Sequence, residues 1–271
     1  MKIKLWPDPD IREQRIRIGR VPALVLRPEK PVPDRPGVLW IHGGGYITGM
    51  KEMVYMGRGL DLVKKYGVTV LSPGYRLAWV KPYPAAVEDC FAVLRYMDEN
   101  RKQLGISSIM VGGESAGGGL AAAVCMIARD KGIHVAFQMP LYPMISNLDT
   151  ESSRDNHGRV WNTRKNHFGW RIYLRGQAKQ HVSPYAAPAG QTDYHDLPPC
   201  YTFVGDGEPF YTETLQYVKN LQAAGVQADV DVYHTDMHAF DMQCPQDPLS
   251  QEAIRKFHRH FEQALQMEKS R

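Results

Sequence analysis

Two glycine-rich stretches and one late histidine carry the residue types that could do chemistry in this chain. Gly113-Glu114-Ser115-Ala116-Gly117 fits G-x-S-x-G, the sharp strand-to-helix turn called the nucleophile elbow. Such a turn holds its serine at strained dihedrals and leaves no room for flanking side chains, which is why glycines surround it. The serine hydroxyl then sits at a helix N-terminus, where free N–H groups and the positive dipole end favour a developing anion. The second stretch is His42-Gly43-Gly44-Gly45. Successive glycines let a backbone lie flat against a reacting carbonyl with its N–H groups aimed at the oxygen. Together the two stretches predict Ser115 as a nucleophile for acyl transfer, with oxyanion donors from Gly44, Gly45 and Ala116. His42 is expected to brace its loop by hydrogen bonds rather than act as a base.

A serine hydroxyl needs a general base, and the base needs a carboxylate to hold its tautomer. Behind a nucleophile elbow the chain order is serine, acid, histidine. Of ten histidines, His234, His238, His258 and His260 follow a plausible acid-bearing strand. His258 and His260 fall in a helical C-terminal run and are expected to face solvent. His234 ends an alternating strand and is expected to pack. His238 lies four residues further into the loop, within Thr235-Asp-Met-His-Ala-Phe240, where an imidazole can reach the serine. The acid is open at this point, because Gly205-Asp206-Gly207-Glu208 offers two carboxylates on one loop.

These loops need elements to position them. Alternation over residues 14–27, with Gly19 and Pro22 between its halves, predicts two opening strands at a sheet edge. Val38-Leu39-Trp40-Ile41 is a buried strand by its branching and length, and it feeds His42. Residues 52–66 read as a helix, Val68–Leu71 as a strand, and Pro84–Asn100 as a helix with proline at its start. Ile106–Val111 is the strand into the elbow, a helix follows it, and Val135–Leu141 is another strand. After a break the rhythm resumes with Pro199–Val204 as a strand, a helix over Thr212–Ala224, the strand Ala228–Tyr233 and a terminal helix. Strands alternating with helices predict an α/β fold with a mostly parallel sheet covered on both faces. Residues 1–145 and 189–271 form the expected catalytic domain. The stretch 146–188 breaks the alternation and reads as a cap or lid insertion.

Composition narrows the partners. A net charge of +4 without a Lys/Arg block or basic tail argues against nucleic acid. The start, Met1-Lys-Ile-Lys-Leu-Trp-Pro7, lacks the apolar segment of a secretory signal, and no run reaches membrane-spanning length. The four cysteines lack metal-type spacing; with Cys90 and Cys125 in helical runs, buried free thiols and a cytoplasmic location are expected.

Taken jointly, the chain resembles the hormone-sensitive-lipase-like family of α/β-hydrolases, which includes bacterial carboxylesterases and acetyl esterases. The matching pieces are His42–Tyr46, Tyr75-Arg-Leu-Ala78, Tyr83–Asp89, Gly113–Gly118, Ser183–Pro188, Leu197-Pro-Pro199 and His238-Ala-Phe240. The family pattern G-x-x-D-x-L-x-D-E, laid on Gly205–Glu213, puts Glu208 at the acid position, thirty residues before His238. That is a departure, Glu for Asp, and Asp206 stays as the runner-up. Gly74, Trp79-Val80 and Glu114 also depart from the family's usual residues.

The resemblance implies an α/β-hydrolase fold and a serine esterase with the triad Ser115, His238 and Glu208 and no metal or cofactor. Fewer than forty residues precede the strand into His42–Gly45, a shorter lead than family members with a full N-terminal helical cap carry, so the cap is expected to come mainly from 146–188. Six Arg/Lys against the single acid Asp155 make residues 154–175 basic. Tyr46, Trp161, Phe168 and Trp170 are the candidate substrate contacts. A small ester with an acetyl to butyryl acyl group is the expected substrate, acetylated carbohydrates included, and a homodimer is a further expectation. The same triad would serve an arylformamidase or another amidase. A non-catalytic ligand receptor on this scaffold would lack the histidine that His238 supplies.

Overall fold

A computed structural model describes residues 9–177 and 182–269. Its strands are β1 (Ile11–Ile18), β2 (Val21–Pro28), β3 (Gly37–Ile41), β4 (Thr69–Pro73), β5 (Ile109–Glu114), β6 (Phe137–Leu141), β7 (Cys200–Gly205) and β8 (Ala228–Tyr233). The helices are α1 (Arg58–Tyr66), α2 (Ala85–Glu99), α3 (Arg101–Leu104), α4 (Ala116–Asp130), α5 (Thr163–Tyr173), α6 (Tyr211–Ala223), α7 (Phe240–Gln243) and α8 (Pro248–Lys269). The strands make one sheet in the order β1-β2-β4-β3-β5-β6-β7-β8. The β1–β2 and β2–β4 pairs are antiparallel, and every pair from β4 to β8 is parallel. The expected α/β-hydrolase architecture is therefore present.

Alternation along β3 sends side chains to two apolar layers. Leu39 and Ile41 join Val93, Leu94, Leu120 and Val124 of α2 and α4. Val38 and Trp40 join Leu62 and Val63 of α1 and Phe257 and Phe261 of α8. Helices thus cover both faces, as a buried parallel sheet requires. Fully burying each phenylalanine of α8 contributes about 1.5–3 kcal/mol.

The strand order places the site. From β3 the chain crosses to β4 on one side, while β5 pairs with β3 on the other. The loops after β3 and β5 therefore diverge and leave a crevice at their carboxyl ends, the usual ligand position of such sheets. Ile41 pairs with Gly113, so the glycine loop and the elbow leave the sheet at one level. Gly205 pairs with Tyr233, so the loops after β7 and β8 emerge together.

Three expectations change. Pro22 lies within β2, paired with Arg17, and the turn is Gly19-Arg20. Residues 52–66 are not one helix: a 3-10 turn, Lys51–Tyr55, precedes α1, with Gly57 at the break. A Cβ on Gly57 would lie 2.1 Å from Glu114 Oε1, so the chain is interrupted where that carboxyl needs space. Of the four cysteines, Cys90, Cys125 and Cys200 are buried free thiols, but Cys244 is exposed.

Within 146–188 the only described α-helix is α5; residues 178–181 lie outside the described residues, as do residues 1–8 of the N-terminal reading. Asn162 caps α5, its Oδ1 accepting the Lys165 N–H at 3.1 Å. The inner face of α5 stacks Tyr173 on Tyr46, with centroids 3.9 Å apart, and buries Trp170 beside them. No described helix is long and apolar enough to cross a membrane.

Candidate active site

Ser115 sits between β5 and α4 at φ 56° and ψ −120°, a conformation non-glycine residues rarely adopt. Its neighbours explain the motif. A Cβ on Gly113 would lie 2.5 Å from the Ile41 carbonyl oxygen, and one on Gly117 only 2.1 Å from the same atom. No larger residue fits at either place without moving β3.

His238 Nε2 lies 2.9 Å from Ser115 Oγ, and His238 Nδ1 is hydrogen-bonded to Glu208 Oε2. The other carboxylate oxygen, Glu208 Oε1, accepts the Gly205 N–H at 2.9 Å. Serine, imidazole and carboxylate form one buried line, with Glu208 fully enclosed. The ring of His238 meets Tyr142 and Phe210 nearly at right angles, with centroids 5.2 and 5.0 Å away. Tyr142 is held in turn by its hydroxyl, which donates to Asp241 Oδ1 at 2.9 Å. Such packing limits imidazole rotation and keeps water off the Glu208 side.

Asp206 faces elsewhere. Its Oδ2 meets His234 Nδ1 at 2.8 Å, and its Oδ1 accepts the Thr235 N–H at 3.2 Å. That hydrogen bond raises the His234 pKa. The expected packing of His234 is incorrect, for its side chain is wholly in solvent. The expectation for His258 and His260 also changes, since both are half-buried. His260 stacks on Tyr201 with centroids 3.9 Å apart, and burial lowers His258 to about 4.

Among the described residues, the N–H groups of Gly44, Gly45 and Ala116 have no protein acceptor. The Gly44 carbonyl accepts from Ile47 and Thr48 N–H, closing the loop into a tight turn. His42 braces that loop: its Nδ1 is 2.8 Å from the Gly43 oxygen, and its ring stacks on Tyr75 with centroids 4.2 Å apart. Tyr75 donates its hydroxyl to the His42 carbonyl at 3.0 Å. Burial lowers His42 to about 4, so it is neutral near pH 7.

A cavity of about 190 Å³ opens onto Ser115 and His238, lined also by Gly43–Gly45, Met53, Val160, Trp161 and Met242. Of the four candidate contacts, Trp161 alone lines it. Phe168 lines a separate outer groove. Tyr46 and Trp170 are core residues, not contacts: Tyr46 is buried with its hydroxyl donated to the Met144 carbonyl at 2.6 Å. Among the described residues, no group of three or more His, Cys, Asp or Glu is placed to hold a metal ion.

Sequence reasoning missed two buried acids. Glu114 accepts the Trp40 indole N–H at 2.8 Å, and burial pushes its carboxyl up to about 8. Glu213 accepts the Ile145 and Ser146 N–H groups at 2.7 and 3.0 Å, tying the start of the 146–188 stretch to α6, and burial likewise pushes it to about 8. The family pattern ending at Glu213 was the one available signal. Both acids keep protons in the folded state that the unfolded chain loses above its ordinary value near 4.5. Between those pH values the unfolded state binds fewer protons, so stability falls as pH rises. Glu114→Gln keeps an acceptor for Trp40 and removes one of the two protons. Its Tm, relative to the parent, should therefore rise between pH 5 and pH 8. An equal pH dependence in the two proteins would place a charged carboxylate at Glu114.

A family model described as the alpha/beta hydrolase fold matches residues 38–242, spanning both glycine loops, Glu208 and His238. The chain belongs to the α/β-hydrolase fold family. This hydrolase is 32% identical over 212 residues to esterase LipI of Mycobacterium tuberculosis, a match covering 76% of this chain and 66% of that one. It is 29% identical over 252 residues to carboxylesterase NlhH of the same species, covering 86% and 76%. Among solved structures it is similar to a bacterial heroin esterase, with a TM-score of 0.84, 30% identity, and coverage of 94% of this hydrolase and 82% of that chain. The hydrolase thus falls in the hormone-sensitive-lipase-like group its motifs resemble.

Proposed function

We propose that this hydrolase is a serine carboxylesterase for small esters with acetyl to butyryl acyl groups. The observation that carries the reading is the continuous hydrogen-bonded line from Ser115 Oγ through His238 to Glu208. His238 Nε2 takes the hydroxyl proton as Ser115 Oγ attacks the ester carbonyl. Glu208 holds Nδ1–H and stabilises the imidazolium that forms. The oxyanion is received by the N–H groups of Gly44, Gly45 and Ala116, for which no acceptor competes among the described residues. The tetrahedral intermediate collapses, the C–O bond to the alcohol breaks, and His238 protonates the leaving oxygen. Water, deprotonated by His238, then attacks the acyl-serine and releases the acid. The similar proteins named as esterases agree with this chemistry.

The size of the cavity supports the acyl limit. Its volume of about 190 Å³ lies below the roughly 300–1,000 Å³ of pockets that enclose drug-sized ligands. Each methylene that stays in water forgoes about 0.8 kcal/mol of burial. Longer acyl chains therefore gain nothing here. Across p-nitrophenyl esters kcat/KM should peak between acetate and butyrate and decline by octanoate. A steady rise to decanoate would require a deep apolar channel and would overturn the short-chain assignment.

A further inference from the structure

A second cavity, about 1150 Å³, lies on the outer side of α5 and borders the first at Trp161, which lines both. Arg164, Phe168 and Arg171 line it from α5. Their spacing of four and three residues sets them along one helix face. Phe168 is packed against Trp79 with centroids 5.5 Å apart, and the Arg171 guanidinium lies 5.2 Å from the Phe168 ring centroid.

The charges of this groove are unevenly partnered. Lys165 spends its ammonium on the carbonyls of Arg159 and Val160, at 3.1 and 2.7 Å. His167 meets Asp149 at 2.6 Å, and His157 meets Asp155, the one carboxylate in the lining, at 3.1 Å. Among the described residues neither Arg164 nor Arg171 has a carboxylate partner, and both are exposed. Two guanidinium groups without a carboxylate partner among the described residues, that of Arg171 over the Phe168 ring, make a recognition surface for a planar group that carries an anion.

We propose that this groove binds the alcohol half of the substrate, and that the preferred alcohol carries a carboxylate or similar anion on a ring. The inference rests on the esterase reading above. The small cavity takes a short acyl group at Ser115, and the rest of the ester passes Trp161 into the groove. Trp161 and Phe168 line the path of the ring, and Arg164 and Arg171 meet the anion. This gives the basic character of residues 154–175 a role in choosing substrates.

The test compares two acetate esters of similar reactivity, neutral phenyl acetate and anionic 4-acetoxybenzoate. The ratio of kcat/KM, anionic over neutral, should exceed one in the parent. It should fall about tenfold in Arg164→Gln/Arg171→Gln, the scale of one lost charge-assisted contact. The parent's ratio should also fall towards one as salt is raised to about 1 M, where charges are screened beyond roughly 3 Å. A ratio that neither the substitutions nor salt changes would overturn the anion site. Absence of turnover with both esters would instead overturn the esterase reading beneath it.

Discussion

Ser115→Ala should lower kcat for p-nitrophenyl acetate by about four to six orders of magnitude, the usual range for loss of a triad nucleophile. In the proposed reaction the hydroxyl oxygen bonds to the acyl carbon, and among the described residues no other side chain is hydrogen-bonded to His238 Nε2, which lies 2.9 Å from Ser115 Oγ. Folding should survive. The alanine keeps the Cβ that already fits at φ 56°, and only one hydrogen bond disappears. That bond is worth about 0.5–1.5 kcal/mol. A Tm near that of the parent, with turnover abolished, is the expected pair of results. Turnover within tenfold of the parent would remove Ser115 from the reaction.

The second large effect separates two carboxylates that lie two residues apart. Glu208→Ala should reduce kcat by about four orders of magnitude, as expected when an imidazole loses the partner that sets its tautomer. It also leaves His238 Nδ1 and the Gly205 N–H facing a buried space without an acceptor. Some loss of stability should accompany the loss of rate, so kcat is compared at equal folded fraction. Asp206→Ala breaks an exposed contact with His234 and should leave kcat within a few-fold of the parent. Glu208→Gln provides a check on packing. It fills the same volume, yet an amide cannot supply the negative charge that stabilises imidazolium. Recovery of stability without recovery of rate would mark the carboxylate charge as the missing element. A larger loss from Asp206→Ala would assign the triad acid to that residue.

These two cases mark what could and could not be read from residue order. Gly113 and Gly117 are demanded by backbone oxygens within a few ångströms, so the elbow is written in local residue types. The glycine loop and the strands that feed both stretches are legible for the same reason. The choice between Asp206 and Glu208 is different. It depends on β8 lying beside β7, which turns Asp206 towards His234 and Thr235 and leaves Glu208 under His238. Only the family register pointed to Glu208.

Long-range packing hid the rest. Glu114 interrupts a helical run some sixty residues earlier in the chain, because its carboxyl sits where a side chain on Gly57 would be. Tyr46 follows the glycine loop and resembles a substrate contact by position. Its stacking on Tyr173 and its bond to the Met144 carbonyl come from segments distant in sequence, and they make it part of the core. The aromatic residues at 161, 168 and 170 divide in the same way: Trp161 borders both cavities, Phe168 the outer groove, and Trp170 neither.

The proposed reaction passes through an acyl group on Ser115. Rapid mixing with p-nitrophenyl acetate, followed by acid quench and peptide mass analysis, tests it directly. A burst of p-nitrophenol that does not exceed one equivalent per active site is expected. An acetyl group should appear on the peptide carrying Gly113–Gly117, at Ser115, with no such adduct in Ser115→Ala. An acetyl group accumulating with the burst on another residue, or undiminished turnover by Ser115→Ala, would contradict it.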